Sequence, residues 1–195
     1  LCLWYGLRLS LKTTCIIVLI SAVFATLPQL FFTKWPSDLL RKVISSLSVV
    51  LFTVLFFARV PYYKIFNSGF NIMLINGMYD DISAIIDTAV NEYQLLWRLP
   101  AAIICGIILA WILCKFLDTR TYKIKFISKN KRWLYSFGII IFLTIFWIFV
   151  RYGGAFSYAK SVNWESAERL KSNLLNEAIL DDGQALYRVK VLLGK

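Results

Sequence analysis

Four long apolar runs constrain this chain more than anything else in it. Thr13–Thr33, Val43–Val60, Leu99–Cys114 and Trp133–Val150 carry no charge before their edge residues. The hydrocarbon core of a bilayer is about 30 Å thick, so a spanning helix needs roughly 20 mostly apolar residues. Each run reaches or approaches that length once its amphipathic flanks are counted. Inside lipid every backbone polar group must find a partner within the protein, which makes the runs α-helices. The expected fold is an all-α membrane protein, with a polytopic transmembrane domain over 1–152 and spans at about 13–33, 43–60, 97–116 and 132–151.

Composition agrees, since a hydrophobic fraction of 59% and a mean hydropathy of +0.66 are too high for a soluble domain of this size. The seven tryptophans lie mostly near run ends, as an interfacial aromatic belt requires. A net charge of +11 would point to nucleic acid in a soluble protein. Here topology accounts for it, and no nucleic-acid partner is expected. The loop 115–132 holds Lys115, Arg120, Lys123, Lys125, Lys129, Lys131 and Arg132 against Asp118, which places it in the cytoplasm. Those cations also attract anionic lipids of the inner leaflet. Counting outward, the loop 61–96 is external and nearly balanced in charge, Lys34–Lys42 is internal, and everything after Arg151 is outside. Leu1 is then outside too, with Arg8 and Lys12 against the charge rule. A preceding helix would explain both that misfit and a start at Leu1, so the chain reads as a fragment that lacks one N-terminal helix. The competing cleaved signal peptide shows no small-residue cleavage context.

Chemistry-bearing patterns are few. There is no histidine, and Cys2, Cys15, Cys105 and Cys114 have no CxxC spacing, so they read as small hydrophobes in or near the runs. The usual zinc sites, Ser-His triads and Cys-His dyads are thereby excluded. No Walker loop or GxGxxG is present. The spans hold no ionisable residue short of their edges and no repeat, which weighs against a transporter.

Two segments outside the runs have their own pattern. In the loop 61–96, Asp80-Asp81 precede a stripe of Ile82, Ile85, Ile86, Ala89 and Tyr93, which predicts a capped amphipathic helix lying in the outer interface or packing across the helix ends. In the segment 153–195, Gly153-Gly154 reads as a flexible joint. Asn163 is the expected cap of a helix with Trp164, Ala167, Leu170, Leu174, Ala178 and Ile179 on its apolar face. Asp181-Asp182-Gly183 then breaks or caps it before a shorter segment from Ala185 to Leu193. Short amphipathic helices need a partner for that face. A bilayer surface or an extracellular domain further along the chain is the expected one.

Three stretches resemble the membrane part of lipoteichoic acid synthase-like proteins, sulfatase-type phosphoglycerol transferases of the alkaline phosphatase superfamily. Tyr5-Gly6-Leu7-Arg8-Leu9-Ser10 is similar to a Gly-x-Arg-x-Asp segment before the family's second helix, with Ser10 where Asp is common. Tyr62-Tyr63 through Phe66-Asn67, Phe70-Asn71 and Asp80-Asp81 resembles its aromatic and asparagine-containing outer loop. Leu174-Leu175-Asn176-Glu177-Ala178-Ile179-Leu180-Asp181-Asp182 with Ala185-Leu186-Tyr187-Arg188 is similar to its juxtamembrane linker.

The resemblance implies a five-helix anchor in a bacterial cytoplasmic membrane, with 153–195 leading to an extracytoplasmic catalytic domain. That domain would hold a divalent metal such as manganese and transfer a phosphoglycerol or related group from a lipid. No catalytic or metal-ligating residue is carried over onto these 195 residues, and no cofactor is expected in them, so the fragment alone is expected to be inactive. The expected partners are membrane lipids, among them an anionic phospholipid substrate, and the chain's own catalytic domain. Arg59, Arg98 and Arg151 fall at the outer ends of spans. They are candidate ligands of a lipid headgroup through guanidinium–phosphate pairing, or else plain interfacial anchors. The alternatives to an enzyme's anchor are a small transporter subunit and a membrane scaffold that binds other proteins.

Overall fold

Regular structure among the described residues is entirely helical, and four helices are long and apolar enough to cross a membrane: Cys2–Phe31, Ser37–Phe66, Leu95–Leu117 and Trp133–Arg151. The computed structural model describes residues 2–194 except 33, 80–81, 118–128, 164 and 166–170. Most of the basic loop and the Asp80-Asp81 cap therefore lie outside the described residues.

The first long helix has three parts: α1 (Cys2–Ser21), a π-helical turn (Ala22–Thr26) and α2 (Leu27–Phe31). The sequence explains the interruption. Pro28 has no N–H, so the carbonyl four residues earlier, that of Phe24, loses its helical donor. The indole Nε1 of Trp35 donates to it instead at 3.0 Å. Next comes α3 (Ser37–Phe66), which runs straight through Pro61. The expected boundary at Val60 is corrected accordingly. The added turn is held by tertiary packing: Tyr62 is buried, its ring centroid lies 4.6 Å from that of Phe66 and 5.2 Å from that of Phe70, and its hydroxyl donates to Asn71 Oδ1 at 2.7 Å. Asn67 closes the helix with φ +50°, a conformation asparagine tolerates.

Two short helices follow, α4 (Met73–Tyr79) and α5 (Ile82–Asn91). The second is the helix the apolar stripe predicts, whereas α4 had no clear periodic signal. Then α6 (Leu95–Leu117) packs along α3 over the most extensive helix–helix contact among the described residues. Ala102, Gly106 and Ala110, four residues apart, form its buried stripe. Small residues at this spacing let two helix backbones approach closely in lipid. A Cβ on Gly106 would meet the Val50 Cα at 3.0 Å. Finally α7 (Lys129–Arg151) packs against α1. The order across the bundle is α6, α3, α1, α7, and the outward side chains of Leu47, Ile104, Trp111 and Phe142 stay exposed. These are surfaces that hydrocarbon would cover.

The buried core sits at one end. There a 3-10 turn (Tyr158–Lys160), α8 (Asn173–Ile179) and α9 (Asp182–Leu193) lie across the start of α1 and the end of α3. Leu9, Val162, Ile179 and Leu180 form one buried cluster, and Tyr62, Phe70, Ala185 and Val189 another. Part of the apolar surface of the tail helices, Ile179, Leu180, Ala185 and Val189, thus packs on the bundle itself, while Leu174, Leu175 and Leu193 stay exposed. Gly153-Gly154, the expected joint, forms a hydrogen-bonded turn in the structure. The pair adopts φ +63° and +80°, and its N–H groups close the end of α7 on Val150 and Phe149 carbonyls at 2.9 and 3.0 Å. Arg8 donates through Nε to the Gly153 carbonyl and through Nη2 to that of Lys160, each at 2.8 Å. The helix expected from Asn163 onward begins instead at Asn173 in its described part, and Trp164, Ala167 and Leu170 lie outside the described residues.

Candidate functional site at the capped end

A polar seam joins the tail to the bundle. Asp181 caps α9, its Oδ1 accepting the Gln184 N–H at 2.8 Å, while its Oδ2 accepts the Thr13 hydroxyl at 2.8 Å. Gln184 Nε2 also donates to Thr13 Oγ1 at 3.2 Å. Gly183 makes this approach possible, since a Cβ there would lie 2.8 Å from Thr13 Cγ2 and 3.2 Å from Phe52 Cε1. The Asp-Asp-Gly triplet therefore starts α9 and also lets it wedge between α1 and α3.

Arg59 supplies the countercharge. Its Nη1 lies 3.3 Å from Asp182 Oδ1 and its Nη2 donates to the Glu177 carbonyl. Burial pushes both aspartates above the usual carboxylate range. For Asp182 the Arg59 guanidinium opposes the shift, and for Asp181 the hydrogen bonds from Gln184 and Thr13 do so. On the far side of α9, Arg188 forks onto Glu177 with two bonds of 3.1 Å and donates to the Phe70 carbonyl at 3.0 Å. Paired charges this deep fix register more than they add stability, because desolvation offsets most of their attraction.

Two clefts flank the seam. One, of about 730 Å³, is almost wholly apolar and runs between α3, α6 and the short helices α4 and α5, with Arg98 on its wall. The other, of about 470 Å³, lies between α1, α7 and α9 and is mixed in character. Lys12, Arg151, Gln184 and Tyr187 line it together with Ile16 and Trp147. Lys12 Nζ donates to Asn163 Oδ1 at 3.2 Å.

The three candidate arginines thus have three different settings. Arg59 is taken up by the seam, Arg98 lines the apolar cleft, and Arg151 lines the mixed one. Sequence reasoning missed Lys12 as a site residue, although its breach of the charge rule was the available signal. Among the described residues no three His, Cys, Asp or Glu side chains gather in a metal-sized group, so these residues do not fit a manganese centre.

No protein-family model, curated protein or solved structure matches the chain. What the capped end can do is therefore read from its own chemistry. It seats the tail helices on α1 and α3 and offers two clefts of a size that suits small amphiphiles.

Proposed function

We propose that this chain is the membrane anchor region of an extracytoplasmic sulfatase-type phosphotransferase similar to lipoteichoic acid synthases, acting on lipid-linked phosphoglycerol or a related group at a bacterial cytoplasmic membrane. The observation that carries the reading is the docking of α8 and α9 into the bundle through Arg59 and Thr13. A linker fixed in this way passes a defined position and orientation to a domain that follows it, where a loose tail would let that domain wander from its lipid substrate. The charge asymmetry of the loops supports an external capped end, and the resemblance of 174–188 to the family's linker supports the class of enzyme. The manganese-dependent chemistry belongs to that following domain, and none of its steps is assigned to residues here.

The test is transfer by the product of the complete gene in proteoliposomes containing phosphatidylglycerol and manganese. The reading expects release of diacylglycerol. Absence of transfer from every phosphoglycerol lipid tried, with solute flux across the same vesicles, would replace it with the transporter reading.

A further inference from the structure

The mixed cleft does not end at its polar mouth. Ile16 and Trp147 also belong to a third cleft, of about 510 Å³ and nearly all apolar, that continues between α1 and α7 past Leu19, Val23, Leu143 and Ile140. The helices are antiparallel here, since Lys12 and Ile16 line the mouth together with Trp147 and Arg151, and Val23 and Leu27 line the deeper cleft together with Ile140 and Leu143. From Lys12 to Leu27 the groove covers 15 helical steps, about 22 Å at 1.5 Å per residue. One leaflet of hydrocarbon is about 15 Å, half of a bilayer core. The π-helical turn of the first long helix contributes Val23 and Phe24 to the wall, and π turns recur at functional sites in helices.

The charges sit at one end of this groove. Lys12 and Arg151 face the mouth, and among the described residues no carboxylate lies within ion-pair distance of either. Glu165 also lines the mouth, so its described side chains carry a net positive charge. The hydroxyls of Tyr187 and Tyr152 line it too, beside Asn163, which accepts from Lys12, and Gln184, which donates to Thr13. Two cations side by side repel each other unless an anion bridges them, and an ammonium beside a guanidinium suits a phosphate.

We infer that the α1–α7 groove binds one anionic phospholipid, its phosphate between Lys12 and Arg151 and one acyl chain along Ile16, Trp147, Val23 and Ile140. The length of apolar groove below the cations selects a lipid over a water-soluble phosphate. The site does not depend on the proposed enzyme: it is a property of these helices, measurable on this chain, and a scaffold or transporter would have it as well.

The test is native mass spectrometry of the chain released from detergent after mixing with equal amounts of phosphatidylglycerol and phosphatidylcholine. The expected result is a phosphatidylglycerol adduct at least tenfold above the phosphatidylcholine adduct. In K12Q/R151Q that preference falls to near unity, while Lys64→Gln, at an exposed lysine outside the clefts, leaves it unchanged. Leu143→Trp keeps every cation but fills the groove, and it loses the preferred adduct as well. Equal adducts on the unmodified chain overturn the inference, and that comparison requires no variant to fold. Preference retained in both K12Q/R151Q and Leu143→Trp also overturns it and assigns anion selection to the basic loop. Displacement of the lipid by millimolar glycerol 3-phosphate overturns it in favour of a soluble-anion site.

Discussion

Asp182 is buried with one compensating charge nearby, the Arg59 guanidinium at 3.3 Å, and this makes the two residues unequal to their sum. Removing Arg59 alone strands a carboxylate away from water, which costs about 3 kcal/mol when a buried pair is broken from one side. Removing both charges relieves most of that penalty. Arg59→Gln is therefore expected to lower the thermal unfolding midpoint in detergent and expose 173–193 to protease, whereas R59Q/D182N recovers a large part of the loss. Equal destabilisation in the single and double variants would contradict the pairing. This residue also shows where sequence reasoning reaches its limit. Arg59, Arg98 and Arg151 look alike in sequence, each a lone cation at the end of an apolar run. Only the fold of the tail distinguishes an arginine consumed by Asp182 from two that line clefts. Arg8 and Lys12 carried the better signal, because the charge pattern leaves them without a topological reason; in the structure the turn after α7 and the Asn163 side chain hold them.

At the scale of elements, the contact between α3 and α6 rests on the Ala102, Gly106 and Ala110 stripe rather than on large interlocking side chains. In lipid, helices gain little from burying apolar surface against each other, so close backbone approach must supply the association. Gly106→Leu would force α6 off the Val50 backbone, with an expected cost of about 1–3 kcal/mol, as for overpacking in a tight core. Disulfide trapping between cysteines at positions 46 and 114 reads it directly. The Ser46 Oγ and Cys114 Sγ atoms are 3.1 Å apart, so Ser46→Cys in the parent should crosslink readily and the same change with Gly106→Leu should crosslink poorly. Undiminished crosslinking would sink the close-approach account. The apolar runs made the four long helices legible, because hydrophobicity over some 20 residues is a strong signal. Their ends were not legible. Cys2–Thr13 and Pro61–Phe66 stay helical through contacts with α8, α9 and Phe70, which are distant in sequence, and a proline at position 61 is the usual mark of an end, not of a continuation. Asp-Asp-Gly reads locally as a break or cap of the preceding helix with a shorter segment from Ala185 to Leu193, whereas in the structure Asp181 is the N-cap of α9 and the helix already starts at Asp182. The close seat that Gly183 gives α9 against Thr13 and Phe52 is a long-range property.

For the molecule as a whole, the central idea is that a rigid cap closes one end of a four-helix membrane bundle and that this end faces away from the cytoplasm. The cap is built from residues far apart in the chain: the start of α1, the end of α3, and the helices from 173 to 193. The orientation proposed for it rests on the excess of lysine and arginine between Lys115 and Arg132 in the sequence. An external enzyme and its lipid substrate both require this orientation, whereas a cytoplasmic scaffold requires the reverse. The most direct measurement is single-cysteine accessibility on intact cells, in a background with Cys2, Cys15, Cys105 and Cys114 replaced by serine. A membrane-impermeant maleimide is expected to label Ser157→Cys at the capped end without permeabilisation, and to label Thr119→Cys only after the membrane is opened. The opposite pattern would contradict the anchor account, because the capped end would then lie in the cytoplasm.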